Sequence, residues 1–266
     1  MRINISWEIS HQMVIFTGNI PMPMRKNFFC QVFLFSIILF LLNDMSSLMA
    51  VNSDYDSLLI RKCNDFDLTG DGHSGEWNKT EWLTLVQPGT GDQSYETKVK
   101  VLYSSTGVYF LYNCGDKKII STMKADNLNL WEEDVVEAFL WTGEDFPVYF
   151  EYELSPYNFE LPIMVPNNKG TFLGWLPWKF EGERKTRHAT SVVRSDGNEI
   201  SGWIAEFFIP YKLLAPLGNV PPVSGTRWRA NMYRIDYDKG SEVTFVWQKV
   251  TKTVHEYNKF GTFIFE

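Results

Sequence analysis

Two short stretches of this chain set tryptophan or tyrosine beside acidic side chains, and a third carries two tryptophans. The first, residues 130–141, reads Leu-Trp-Glu-Glu-Asp-Val-Val-Glu-Ala-Phe-Leu-Trp, an acidic cluster running into an apolar segment with one charge. As a strand it places Val135, Glu137, Phe139 and Trp141 on one face and Val136, Ala138 and Leu140 on the other. Glu137 is then a carboxylate on an apolar surface, which costs free energy unless donors meet it. In the second, residues 148–154, Tyr149, Glu151 and Glu153 alternate with Phe150, Tyr152 and Leu154. The third, Gly174-Trp175-Leu176-Pro177-Trp178, reads as a loop. Carboxylates beside loop aromatics suit a saccharide: the C–H face of a sugar packs on an indole, and its hydroxyls donate to carboxylate oxygens. A loop tryptophan that only covers the core is the competing reading.

The elements that must position these residues are strands. Residues 98–103 and 108–113 form a predicted hairpin, and so do 190–194 and 200–209 around Ser195-Asp196-Gly197-Asn198. Residues 227–235 pair with 244–247, and 260–265 close the chain. One helical turn fits between Pro210 and Leu217, with proline in its first turn. Many short strands separated by Gly, Pro, Asn and Asp predict an all-β, antiparallel β-sandwich. In residues 130–141, Glu, Ala and Leu favour helix while Val, Phe and Trp favour strand, and the all-β surroundings favour strand.

The first fifty residues read as a leader. Met24-Arg25-Lys26, the apolar run 28–42, then Ser46, Ser47 and Ala50 have the layout of a secretory signal peptide. A retained N-terminal anchor is the alternative, although the apolar run is short for a membrane span. Residues 1–23 read as an upstream extension with Met24 as the true start, which leaves 51–266 as one domain. The expected location is secreted, periplasmic or cell-surface. The whole chain has a formal charge of −7; setting residues 1–50 aside removes three basic and two acidic residues and gives −8. That balance argues against nucleic acid or an anionic membrane as partner. Cys63 and Cys114, the cysteines of the mature part, permit one disulfide in a secreted chain, with two buried thiols as the alternative.

With these residues in place, a resemblance emerges. Residues 130–141 resemble the Trp-Glu-x-Asp-x-Val-Glu-x-Phe motif of family 9 carbohydrate-binding modules and their DOMON-like sandwich kin. Gly70-Asp71-Gly72 with Trp77 is similar to the family's opening turn, and residues 99–111 to the strand pair before the motif. Residues 149–158, 229–235 and Lys259-Phe260-Gly261 resemble the strands that follow, so that the resemblance spans nearly all of 58–266. It implies a β-sandwich that holds a sugar between two tryptophans and travels with polysaccharide-degrading enzymes such as glycoside hydrolases. Trp131 matches one of those tryptophans and Glu137 the carboxylate that accepts sugar hydroxyls. The second tryptophan has no counterpart in Thr253-Val254-His255-Glu256-Tyr257-Asn258, and Glu151 stands where the family has an arginine. Trp175, Trp178 or Tyr257 is left to supply the second wall. Tyr149, Arg234 and His255 complete the expected contacts, with structural roles as their alternatives: for Arg234, pairing with a strand carboxylate.

Other chemistries are weaker. Asp65, Asp67, Gly70 and Glu76 follow calcium-loop spacing, but Thr69 stands at the fifth position and no helices flank the loop, so a polar turn is the simpler reading. Modules of the resembled family do hold structural calcium, which leaves a metal elsewhere open; no other cofactor is expected. A glycosidase needs two carboxylates across a scissile bond, about 5–5.5 or 6.5–9.5 Å apart, and candidates abound among Glu132, Glu133, Asp134, Glu137, Glu151 and Glu153. No Gly-x-Ser-x-Gly, His-Glu-x-x-His or phosphate loop is present. Related sandwiches bind haem, for which the histidines of residues 51–266 are His73, His188 and His255. The expectation is a non-catalytic sugar-binding domain; the alternatives are a glycan-acting hydrolase and a surface interaction protein with a degenerate pocket.

Overall fold

The computed structural model describes residues 56–87, 92–169 and 171–266. The leader expected over residues 1–50 lies outside them. The described strands are β1 (Ser57–Lys62), β2 (Leu83–Thr84), β3 (Thr97–Tyr103), β4 (Gly107–Gly115), β5 (Val135–Trp141), β6 (Val148–Leu154) and β7 (Glu160–Asn168). They continue with β8 (Thr171–Phe172), β9 (Leu176–Pro177), β10 (Arg187–Arg194), β11 (Ile200–Pro210), β12 (Arg227–Asp236), β13 (Val243–Val246) and β14 (Gly261–Phe265). One helical turn, α1 (Tyr211–Leu214), follows Pro210.

The strands pair in the order β10-β11-β4-β3-β1-β14-β12-β5-β6-β7-β8. β1 joins two layers: residues 57–60 run parallel to β14, and Arg61 and Lys62 run parallel to β3. The layers fold face to face as a β-sandwich. Between them Val101, Phe110, Val136, Ala138, Leu140, Phe150, Tyr152, Trp203, Phe207, Trp228 and Met232 form the main core. All are strand residues of one parity on their own strand, so alternation alone directs them inward. The opposite face of β5, β6, β7 and β12 carries a second apolar cluster, with Val135, Phe139, Trp141, Tyr149, Ile163 and Tyr233. Thus β5 is buried on both sides. The predicted split of residues 135–141 into two faces is what the structure contains, and Glu137 belongs to the second face.

Two features missed in the sequence shape that second face. β1 and β7 went unpredicted. In β7, Pro162 and Pro166 read as strand breakers; the strand tolerates them because it lies near the end of its layer, beyond which β8 and β9 supply two residues each. Residues 130–132 form a 3-10 turn that delivers the chain into β5. The acidic cluster there is structural. Glu133 accepts Met123 N–H at 3.0 Å, and Asp134 accepts Ile120 N–H at 2.5 Å and Tyr237 N–H at 2.9 Å.

The family-like glycines answer to packing. At Gly261 a Cβ would lie 2.6 Å from the Trp247 ring and 2.9 Å from the Asp56 carbonyl. Gly70 adopts φ +80° and would bring a Cβ within 2.9 Å of Thr190 N. Its turn wraps the buried carboxylate of Glu206, which accepts Thr69 N–H at 2.9 Å and the Trp77 indole N–H at 2.8 Å. The supposed calcium loop is this turn. Asp65 accepts Thr106 and Tyr109 hydroxyls at 2.7 and 3.0 Å, and Glu76 accepts Asn64 N–H at 2.9 Å, so the loop's carboxylates serve separate partners.

Cys63 and Cys114 are both unpaired and buried, which corrects the permitted disulfide. Cys63 N–H bonds the carbonyl of Tyr103, whereas Cys114 pairs with Thr97 at the other end of β3. Six residues of strand separate them by roughly 20 Å, far beyond disulfide reach. Burial is the main cause that pushes both thiols up to about 12.

Arg234, fully buried, ties the layers together. From β12 its guanidinium donates to Gly115 O at 2.7 Å and Asp116 Oδ2 at 2.9 Å on the β4 side, and pairs with Asp236 on its own strand. Its face lies 5.1 Å from the Phe245 ring. Removing one partner of a buried pair leaves the others uncompensated. Arg234→Met is therefore expected to lower unfolding stability by about 3–5 kcal/mol in urea titration; a loss under about 1 kcal/mol would contradict this role.

Candidate functional site

On the second face, cross-strand register assembles a cluster of acids. Glu137 of β5 lies opposite Glu153 of β6, and Phe139 lies opposite Glu151. Tyr233 of β12 faces Glu137 from the other side. Strand parity therefore stacks Glu137, Glu151 and Glu153 on one surface beside Phe139, Tyr149 and Tyr233. One carboxylate oxygen from each lies within 4.8 Å of those of the other two. Exposure is 2 %, 4 % and 0 %. Glu137 Oε2, Glu151 Oε2 and both oxygens of Glu153 are buried without a hydrogen-bond partner.

Burial away from water disfavours the charged form, and like charges add to it. Desolvation, then the charge of Glu242, pushes Glu137 up to about 8. Desolvation, then Glu137, holds Glu151 well above the usual carboxylate range, and Glu153 follows for the same reasons with Glu151 added and the backbone N–H of Trp131 pulling the other way. His255 moves the other way: burial lowers it to about 4. Its Nδ1 lies 3.7 Å from Glu151 Oε2, within ion-pair distance, but both shifts favour the neutral forms, so this contact is a neutral pair. The Nδ1 also meets the Tyr149 hydroxyl at 2.5 Å. The imidazole stacks on Phe172 with centroids 4.2 Å apart, and packs over Phe139 at 5.8 Å.

Above this floor opens a cavity of about 1220 Å³. Glu137 and Glu151 line it, Trp131 and Trp175 wall it, and residues 247–255 form its other side together with Phe172. The 3-10 turn fixes Trp131, whose carbonyl accepts the Tyr237 hydroxyl at 2.9 Å. The two indoles touch edge to face, 5.8 Å apart and 76° inclined. They form a corner, not a parallel slot.

Of the residues singled out in the sequence, the structure brings Trp131, Glu137, Glu151, Trp175 and His255 to one cavity. Tyr149 lies beneath it, buried behind His255. Trp178 and Arg234 are elsewhere. Leu176-Pro177 is strand, so Trp175 and Trp178, three positions apart, point to opposite sides; the Trp178 indole donates to Leu213 O at 2.9 Å and packs on the main core. Arg234 spends its donors between the layers and takes the alternative role, pairing with strand carboxylates. Tyr257 packs on Trp141, 4.4 Å away, and does not line the cavity. Glu153 lies where its parity with Glu151 placed it, behind the cavity floor. Phe172 and residues 249–254 were missed, because they depend on loop paths that periodicity does not encode.

Among the described residues, two groups of acids have metal-like spacing. Asp116, Asp134 and Asp238 fit calcium poorly, because Arg234 already neutralises Asp116 and backbone N–H groups occupy Asp134. The glutamates supply three oxygens from one side only, where calcium takes six to eight.

The chain matches the family model described as "Carbohydrate family 9 binding domain-like" over residues 69–265. It is 25% identical over 147 residues to an extracellular protein of Arthroderma benhamiae, covering 52% of this chain and 63% of that one. It is 30% identical over 152 residues to endo-1,4-beta-xylanase A of Thermotoga maritima, covering 56% of this chain and 12% of the xylanase. Among solved structures, a candidate carbohydrate-binding protein from Bacteroides uniformis superposes with a TM-score of 0.62 at 16% identity, covering 80% of this chain and all of that one. A family 9 carbohydrate-binding module from Caldicellulosiruptor kristjanssonii, solved with cellotriose, gives 0.56 at 15%, covering 79% and 94%.

The raised carboxylates make stability pH-dependent. Unfolded, Glu137 ionises near 4.5; folded, it holds its proton to about 8. Below 4.5 both states are protonated and the fold carries no penalty from this group. As pH rises towards 8 the unfolded state alone gains charge, and stability falls by up to about 1.4 kcal/mol per pH unit for each such group. The ligand-free protein is expected to melt at a higher temperature at pH 5 than at pH 8, with a shallower decline in Glu137→Gln. A flat or rising melting curve across that window would contradict the assignment.

Proposed function

The chain belongs to the carbohydrate family 9 binding domain-like family, and on that premise we propose that it is a non-catalytic binding protein that holds a saccharide in the cavity at Trp131 and Glu137. The observation that carries this reading is the corner of Trp131 and Trp175 standing over Glu137 and Glu151, whose buried oxygens have no protein partner. A sugar ring packs its C–H face on one indole and meets the edge of the other. Its hydroxyls both donate and accept, and a carboxyl near neutrality does the same depending on its proton. Either protonation state therefore finds a complement. The volume exceeds what one ring fills, which suits an oligosaccharide. Neighbours solved with cellotriose and with glucose support a saccharide as ligand.

The geometry favours binding over hydrolysis. Glycosidases split the pKa values of two carboxylates that flank the bond, one acid and one base. Here the three acids share one face and are displaced in the same direction. Secretion follows from the leader read in residues 1–50, and the extracellular and xylanase relatives suit a role beside polysaccharide-degrading enzymes. Among the described residues no helix is long and apolar enough to cross a membrane.

Affinity electrophoresis against a panel of polysaccharides is expected to retard the protein on at least one glucan or xylan. Trp131→Ala should weaken calorimetric affinity for the matching oligosaccharide by about tenfold, the scale of one aromatic contact. Unchanged affinity would remove Trp131 from the site, release of reducing sugar would identify an enzyme, and retardation on no glycan would favour a surface interaction protein.

A further inference from the structure

Nine aspartate and glutamate side chains are buried among the described residues, and six have partners. Glu206 accepts backbone and indole N–H groups. Asp116 and Asp236 share Arg234. Asp134 accepts two backbone N–H groups, Glu160 the Tyr152 hydroxyl at 2.9 Å, and Glu256 the N–H groups of Thr251 and Lys252 at 2.6 and 2.9 Å. The fold satisfies a buried carboxylate wherever it makes one, as burial requires. Glu137, Glu151 and Glu153 are the exception: Glu137 and Glu151 open onto the cavity, and Glu153 is buried behind them. Neither lysine nor arginine pairs with any of them among the described residues; Lys249 and Lys252 line the cavity on exposed backbone, where they lower none of the three. Glu242 adds a further negative charge to the wall.

From these unpartnered oxygens at the floor of a sugar-sized cavity, and resting on the reading that the cavity takes a saccharide, we propose that its ligand carries a primary ammonium group, as in a de-N-acetylated amino sugar, and that Glu137 and Glu151 receive it with Glu153 behind them. An ammonium presents three N–H donors and no acceptor. Two acceptors set tetrahedrally about 2.8 Å from one nitrogen lie about 4.6 Å apart at most. The closest oxygens of the three glutamates lie within 4.8 Å of one another. The sheet provides this half-shell and nothing more, because the neighbours on the same face are Phe139, Tyr149, Ile163 and Tyr233. Glu137 and Glu151 offer acceptors to two N–H groups of an ammonium entering from the cavity and leave its remaining bonds to the ring and to the open side, whereas a calcium ion would still lack most of its ligands. The fourth bond of the nitrogen then points out of the floor, towards the indoles that would hold the ring.

Calorimetry on the purified protein tests this with three tetrasaccharides: the β-1,4-linked glucosamine, N-acetylglucosamine and glucose oligomers. The amine-bearing oligomer is expected to bind at least about tenfold more tightly than the other two, the scale of one charge-assisted hydrogen bond. That ratio should collapse in Glu151→Gln, and in Glu137→Gln if the first variant does not fold. Equal or tighter binding of the neutral oligomers would overturn the ammonium assignment while leaving saccharide binding in place. Binding of none would overturn both. Micromolar binding of calcium chloride, lost in Glu151→Gln, would reassign the trio to a divalent cation and overturn the proposal.

Discussion

The burial of three carboxyl groups against an aromatic sheet face, without a lysine or arginine to meet them, is the constraint on which this structure turns. Taking a charge out of water costs more than the interactions on that face return, so the groups hold their protons. The surrounding elements keep the arrangement in place. β5 and β6 fix the spacing through register, the main core clamps both strands from behind, and Tyr112 donates its hydroxyl to the Glu137 carbonyl across the sandwich at 2.7 Å. His255, neutral and stacked between Phe139 and Phe172, seals one side without offering a positive charge.

The contrast with Arg234 shows what the fold does with a charge used for structure. That guanidinium is as deeply buried as the glutamates, yet its donors reach Gly115, Asp116 and Asp236, and it joins the two layers. Glu206 does the same for the opening turn through N–H donors. These structural charges meet opposite charges or N–H donors within the protein. Glu137 and Glu151 instead turn unpartnered oxygens to the cavity, and this separates a ligand site from a tie between elements.

Much of this was legible in the sequence, for identifiable reasons. Alternation in residues 135–141 and 148–154 assigned every side chain of β5 and β6 to its face, because a strand has a period of two and both faces are strongly patterned. The hairpins around Ser104–Gly107 and Ser195–Asn198 followed from turn residues. The family resemblance, carried by Trp131, Glu137 and Phe260-Gly261, agrees with the matching family model. What stayed hidden was non-local. Nothing in Gly174–Trp178 said which indole would turn towards Trp131, since parity is fixed only once Leu176-Pro177 pairs with β7. The partners of Arg234 lie more than a hundred residues away in Asp116 and Gly115. The two prolines of β7 concealed a strand that is tolerated near the end of its layer, where only the two-residue β8 and β9 lie beyond it.

Glu151 and Glu137 at the cavity floor and the Trp131–Trp175 corner above them are the parts of the site on which a bound ligand would report. The most direct measurement is a crystal structure of the protein with a bound β-1,4-linked oligosaccharide, amine-bearing or neutral. The account predicts a sugar ring packed on Trp131 or Trp175, with a ligand donor within hydrogen-bond distance of Glu137 or Glu151. A saccharide bound elsewhere on the sandwich, with those carboxyl oxygens still unpartnered, would contradict it.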